Sequence, residues 1–296
     1  MRLQLALKGL TAVNARVVKR RFYLLNYRNQ RGKAQNPIYI RLSDSHRISL
    51  NIIIKATGVP EDIMVKLTAP QTFKVVNYLL TNPHTSQIEI SRNVEVSRDL
   101  VNHVVQELEA PGIVLQEARG HLELKDPLRL LEAISIQRPL SKLVMGEIRT
   151  EESEVSKVEK MVRNVAAHSL GGGQDYALTC FSALSKYMEY YITYPAVHVY
   201  SSRPEELQKG LVTGRGDVVI QILKPDSDLI LENTTRVHDL TLVEPVEVVI
   251  DLFCLGGAGR DGAMKLYQSL IQIGDRKKKE KKASVSHSKR VVRRTA

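Results

Sequence analysis

Apolar residues recur at helical spacing in three stretches between residues 68 and 110. The first stretch is a stripe formed by Phe73, Val76, Leu79 and Leu80. It follows Thr68, which we predict to be the N-cap, and Pro70, a residue suited to the first helical turn. A second, short helix is predicted to begin at the capping box formed by Ser86 and Glu89. The pattern thus predicts two helices ahead of a third.

The third predicted helix begins at Ser97, whose hydroxyl can accept a hydrogen bond from an amide of the first turn. Four apolar residues share one arc of about 100° on a helical wheel: Val101, Val104, Val105 and Leu108. Polar residues fill the facing arc: Arg98, Asp99, Asn102, His103 and Gln106. We therefore expect one side of this helix to pack in a core and the other to be available to a partner.

A β-hairpin is predicted after the third helix. Residues 113–115 and 121–124 have the character of strands, and Gly120 lies at the turn between them. Asp126 and Pro127 then predict the start of a further helix. Three short helices followed by a hairpin is the order of a winged helix-turn-helix, whose third helix enters the major groove of DNA. A small α/β module of the same topology that contacts proteins is the alternative.

The segments on either side complete a predicted α+β fold. Residues 38–54 alternate loosely and predict two strands in a small basic β-containing segment, and residues 155–165 predict an amphipathic helix that ends at the glycines 171–173. Beyond it we expect a mixed α/β C-terminal domain, with helices over 175–185, after Ser202 and from Pro245, and strands at 197–200, 217–223 and 229–232. The predicted divisions are a basic N-terminal segment (1–66), a winged helix-turn-helix domain (67–140), a helical bridge (141–174), the C-terminal domain (175–274) and a disordered basic tail (275–296).

Positive charge is concentrated at the two ends of the chain. The net charge is +11, with 13 Lys and Arg against 3 Asp and Glu in residues 1–66, and 10 against 2 in residues 275–296. Residues 67–140 carry 7 against 9, and residues 141–274 carry 13 against 18. This distribution predicts basic anchors for a polyanion, attached to mildly acidic folded domains.

Two cysteines, Cys180 and Cys254, are too few for a disulfide framework and favour a reducing compartment. The N-terminal apolar run is interrupted by Lys8, which argues against a signal peptide, and no stretch is long enough to span a membrane. We therefore expect a cytoplasmic protein without a membrane partner. No metal-binding spacing of histidines or cysteines occurs, and we predict no cofactor.

Two motifs suggest other chemistry. The pattern G-x-G-x-x-G at Gly257–Gly262 lacks the strands and the acidic residue of a dinucleotide site, so we interpret it as a loop between helices. Asp226 and Asp228 resemble the paired carboxylates that hold Mg²⁺ in nucleotidyltransferases, but the companion Gly-Ser turn is missing. A turn is the favoured role for the two aspartates, and a nucleotidyltransferase-like enzyme is kept as an alternative.

Six stretches of the chain, taken in order, resemble the AbiEi-type antitoxins and related transcriptional regulators of type IV toxin-antitoxin systems. They are 90–97, 126–131, 147–152, 176–184, 243–252 and 256–262, within a resemblance that covers about residues 35 to 272. The chain departs from the family pattern at Cys180, where a glycine is expected, and carries Glu95 in the helix-turn-helix turn. The resemblance implies a non-enzymatic repressor that autoregulates its operon, with a C-terminal domain that counters a nucleotidyltransferase-like toxin.

The predicted DNA-binding residues lie on the third helix and on the hairpin: Ser97, Arg98, Asn102, His103, Gln106, Arg119 and His121. Asparagine and glutamine can pair bidentately with adenine, and arginine with guanine. The third helix itself is not basic, so attraction to phosphate is expected from the chain ends or from the hairpin. A sequence-specific regulator that binds double-stranded DNA is the favoured function, and a basic RNA-associated protein is a further alternative.

Overall fold

A computed structural model describes residues 65–117, 120–170, 175–190 and 194–274, and every structural statement below refers to these residues. The strands predicted within 38–54, the glycines at 171–173 and the basic tail lie outside them.

The first part of the described chain has the predicted order of three helices and a hairpin. Its elements are α1 (Pro70–Thr81), β1 (His84–Ser86), α2 (Gln87–Val94), α3 (Arg98–Glu109), β2 (Val114–Gln116), β3 (His121–Leu124) and α4 (Pro127–Gln137). Strands β2 and β3 form the antiparallel hairpin, and β1 pairs with the other edge of β3. The winged helix-turn-helix prediction is confirmed, and β1, which the sequence pattern did not indicate, adds the third strand.

Three of the four helix caps predicted in this first part are present. The side-chain oxygens of Ser86, Ser97 and Asp126 each accept a hydrogen bond from the backbone amide three residues on, at 3.2, 3.3 and 2.9 Å. The predicted cap at Thr68 is wrong, because Ala69 is the N-cap and makes no side-chain hydrogen bond. The ring of Pro70 disfavours a helical conformation at the preceding residue, so the helix begins at the proline itself.

The second part of the described chain is built around a six-stranded mixed sheet. Its elements are β4 (Val144–Arg149), α5 (Val155–Ser169), β5 (Tyr176–Thr179), α6 (Cys180–Tyr187), β6 (Ala196–Ser201), α7 (Pro204–Gly210), β7 (Val219–Leu223), α8 (Leu229–Glu232), β8 (Thr234–Val237), β9 (Leu240–Val243), α9 (Pro245–Leu255) and a last helix, α10, over 258–274. The strand order is β4-β7-β6-β5-β9-β8, with parallel pairing of β6 with β7 and of β5 with β9. The predicted α+β class with a mixed C-terminal domain is confirmed.

Three local predictions in this part are wrong. The helix expected over 175–185 is preceded by strand β5 and starts only at Cys180, and the strand expected at 229–232 is the short helix α8. Periodicity cannot distinguish a short buried strand from a helical turn when nearly every position is apolar. Ser202 does not cap α7, whose N-cap is Arg203, and its hydroxyl instead donates to the Asp175 carboxylate at 2.7 Å.

The segment predicted to be a helical bridge contributes to the sheet. Strand β4 pairs antiparallel with β7, while α5 packs on β6 and on α7. Helix α9 packs on α1 and α4 as well as on α6, so buried apolar side chains form one continuous core across the winged helix and the sheet. This shared core fixes the winged helix against the C-terminal domain.

Four non-glycine residues among those described have backbone angles that favour glycine: Glu95, Cys180, His238 and Asp239. Glu95 follows α2 with φ 54°, and Cys180 lies between β5 and α6 with φ 52°, both in the left-handed region. At Cys180 a glycine would adopt this conformation without strain. At Glu95, in the turn between α2 and α3, the same conformation is strained because the residue carries a side chain.

Candidate nucleic-acid interface

Helix α3 separates an apolar face from a polar face as predicted. Val101, Val104, Val105 and Leu108 are fully buried, and the main contacts of the helix are with α1, α2 and β2. The five predicted DNA-binding residues of this region are all exposed: Ser97, Arg98, Asn102, His103 and Gln106. The core contacts therefore hold the helix in place while its amide and guanidinium groups face solvent.

The amide group of Asn102 has a partner on the preceding helix. The side-chain nitrogen of Gln87, in the first turn of α2, donates to the Asn102 side-chain oxygen at 3.4 Å. This contact restricts the rotamer of Asn102 and leaves its own two N–H donors available to a ligand. Sequence analysis missed Gln87. No local pattern places it beside the third helix, since that depends on how the two helices pack.

The hairpin of β2 and β3, which is the wing of this fold, lies next to the start of α2. In the three-stranded sheet the exposed residue His121 stands opposite Ser86, the residue that caps α2. Gly120 precedes it with φ 75°, a conformation that the turn of the hairpin requires and that glycine adopts without strain. Arg119, the second predicted wing residue, lies outside the described residues. The wing strand and the first turn of α2 thus form one surface.

Charge on α3 does not favour DNA on its own. The helix carries Asp99, Glu107 and Glu109 and a single cation, Arg98. Its N-terminus compensates in part, because the first amides of a helix and its dipole attract anions such as phosphate. Residues 1–64, most of the basic N-terminal segment, and the basic tail 275–296 lie outside the described residues and carry much of the positive charge of the chain.

Elsewhere, Arg138 at the end of α4 joins the winged helix to the C-terminal domain. The guanidinium binds Asp226 at 2.8 Å, Asp251 at 2.7 Å and Glu247 at 3.2 Å, and it donates to the Tyr200 hydroxyl at 2.8 Å. Burial raises the pKa of Glu247 to about 8 and raises that of Asp251, although Arg138 acts in the opposite direction on both. Three carboxylates thus share one buried cation.

Asp226 and Asp228, on which the enzyme alternative depends, do not form a paired metal site on a strand. The carboxylate of Asp226 is bound by Arg138, and Asp228 is the exposed residue that precedes α8. Among the described residues, no cluster of three or more metal-ligating side chains is present. The arrangement gives Asp226 a structural role in the contact between domains.

The glycine-rich pattern at 257–262 joins helix α9 to helix α10, as we interpreted it, and does not follow a strand. A Cβ at Gly259 would collide with the Leu252 carbonyl oxygen, and one at Gly262 would lie 2.9 Å from the Leu184 side chain. These glycines allow close packing of helices. None of the helices in the described ranges combines the length and apolar character that crossing a bilayer requires.

Comparison with known proteins agrees with the geometry of the first part. Residues 70–114 match the family model described as winged helix-turn-helix DNA-binding, a range that contains α1, α2 and α3 and ends at the first residue of β2. No curated protein and no solved structure matches the chain. The match and the fold lead to the same conclusion, that residues 70–114 belong to a winged helix-turn-helix DNA-binding domain.

Proposed function

We propose that the protein is a sequence-specific transcriptional regulator that reads the major groove of double-stranded DNA with α3. The observation that supports this most directly is the exposed polar face of α3, on which Arg98, Asn102 and Gln106 are free of core contacts. A helix held by its apolar face and exposed along its polar face has the form that major-groove readout requires.

The chemistry of base reading follows from the side chains. Asn102 and Gln106 each carry an acceptor and two donors, which match the N6 amino group and N7 of adenine, and Arg98 matches O6 and N7 of guanine. Gln87 holds the Asn102 oxygen at 3.4 Å, so Asn102 is oriented before DNA arrives. Such orientation lowers the entropy lost on binding.

Contacts with phosphate are assigned to other groups. Ser97 and the backbone amides at the start of α3 suit a phosphate oxygen, and His103, Arg119 and His121 are proposed to contact the backbone near the wing. The basic ends of the chain add attraction that does not depend on sequence, since each neutralised phosphate releases counterions.

The family resemblance extends the proposal to an antitoxin. In this extension the C-terminal domain, around the six-stranded sheet, counters a nucleotidyltransferase-like toxin, and the chain itself has no catalytic activity. The support is the resemblance alone. Co-expression with a nucleotidyltransferase encoded next to the gene tests it, because an antitoxin restores growth that the toxin stops. Growth that stays arrested would contradict the extension and leave the DNA-binding proposal intact.

The DNA-binding proposal is tested by selecting the preferred duplex from a random pool with the full chain. Asn102→Ala is then expected to weaken binding to the selected duplex by about 1–3 kcal/mol and to leave binding to random duplex unchanged. Asn164→Ala, at an exposed asparagine on α5, is the matched control and should leave both affinities unchanged. Equal losses on selected and random DNA, or a pool without enrichment, would refute base reading by α3.

A further inference from the structure

A cavity of about 340 Å³ lies between the winged helix and the C-terminal domain. Helix α1 forms one wall, the end of α2 closes one side, and the other wall comes from α8 and the start of α9. Its volume lies within the range of roughly 300–1,000 Å³ typical of small-molecule sites. The cavity is separate from the polar face of α3, none of whose predicted DNA-binding residues lines it.

The lining of the cavity is predominantly negative. Three carboxylates contribute to it, Glu95, Glu244 and Glu247, while Lys74 is the only cation among the described lining residues. Apolar surface from Ile230 and Val246 covers part of the wall. An anion would face the like charges of Glu95 and Glu244 here, whereas a cation with a carbon chain would find both charge and apolar contact.

The carboxyl group of Glu247 is already bound by groups behind the cavity wall. Glu247 is 4 % exposed, and its oxygens contact Arg138 at 3.2 Å and the Asn77 side-chain nitrogen at 3.5 Å. Arg138 is shared with two further carboxylates, Asp226 and Asp251, so one guanidinium serves three acids. Burial raises the pKa of Glu247 to about 8 and also raises the pKa of Glu244, so at neutral pH Glu247 adds little negative charge to the cavity.

We propose that this cavity binds a small organic cation, a primary amine or guanidinium compound, whose charge pairs with Glu95 and Glu244 while its carbon chain packs on Ile230 and Val246. A bare metal ion fits less well, because the described residues contain no group of three metal-ligating side chains. Since the ligand would touch both α1 and α9, its binding energy acts directly on the contact between the DNA-binding domain and the rest of the protein.

The first experiment measures binding of agmatine, which carries a guanidinium and a primary amine, to the full-length protein by titration calorimetry. We expect saturable binding with a dissociation constant on the order of 1 mM or tighter, and none with succinate, a dianion of similar length. Hydrogen exchange should show agmatine-dependent protection in α1 and α8. Absence of agmatine binding, equal binding of succinate, or protection confined to other segments would overturn the proposal.

Two variants that change the charge of the cavity lining in opposite directions test whether the amine binds there. Glu244→Gln removes a lining carboxylate and should weaken agmatine binding by about three- to tenfold, whereas Lys74→Met removes the opposing cation and should strengthen it. Glu205→Gln, at an exposed carboxylate on α7 that does not line the cavity, is the control and should leave affinity unchanged. Equal affinities in all three variants, or the reverse order, would exclude this cavity as the amine site. Circular dichroism checks that each variant is folded.

Discussion

Replacing Arg138 by methionine tests the contact that joins the two domains. The variant Arg138→Met keeps the aliphatic stem but removes the cation shared by Asp226, Glu247 and Asp251. Arg138 is 3 % exposed and Asp251 is fully buried, so the lost partner leaves negative charge that water cannot reach. Removing one member of a buried ion pair costs about 3–5 kcal/mol. This is a large part of the total stability of about 5–15 kcal/mol of a typical domain.

Urea unfolding followed by circular dichroism measures this loss. A denaturant slope of about 2 kcal/mol per molar converts a loss of about 4 kcal/mol into a midpoint roughly 2 M lower. Lys157→Met is the control, because Lys157 pairs with Glu154 on the surface and its removal should cost no more than about 1 kcal/mol.

The pH dependence separates a charge effect from lost packing. Burial raises the pKa values of Glu247 and Asp251, so as the pH falls both carboxyls take up protons in the folded state before they do so in the unfolded chain. Without Arg138 those pKa values rise further, and the deficit of the variant should shrink between pH 8 and pH 5. A loss below about 1 kcal/mol, or one independent of pH, would refute the reasoning.

Three further predictions follow from single features of the chain. Glu95→Gly should stabilise the protein by about 1 kcal/mol, because φ 54° is strained for glutamate, and an unchanged or lower thermal midpoint would contradict this. Burial lowers the pKa of His198 to about 4, so stability should fall by about 3 kcal/mol as the pH drops from 6.5 to 4. His198→Leu should lose stability less steeply over that range. Deleting residues 275–296 should make the slope of log affinity for DNA against log salt shallower, and an identical slope would show that the tail contacts no phosphate.

The winged helix was predictable because its signals are local. The apolar residues of α3 fall on one face at helical spacing, and the caps at Ser86, Ser97 and Asp126 mark helix starts through hydrogen bonds that span three residues. The same local signals identified the polar face of α3. They did not identify Gln87, whose role depends on how α2 packs against α3.

The C-terminal domain was less predictable because its strands are short and buried. All four residues of β5 are buried, and so are those of β9, which removes the alternation that identifies a strand exposed on one side. Strand β4 was missed within a segment predicted to be a bridge, since its pairing with β7 depends on residues 70 to 79 positions away.

By itself, the sequence determined the class of fold, the winged helix-turn-helix and the side of α3 that faces solvent, since periodicity and capping act within a few residues. Only the tertiary structure decided that Arg138 meets Asp226, Glu247 and Asp251, which come from segments 88 to 113 residues away. It also decided that three carboxylates line a cavity between the domains. Charges distant in sequence interact only after packing has removed the water between them, and no local pattern encodes that arrangement.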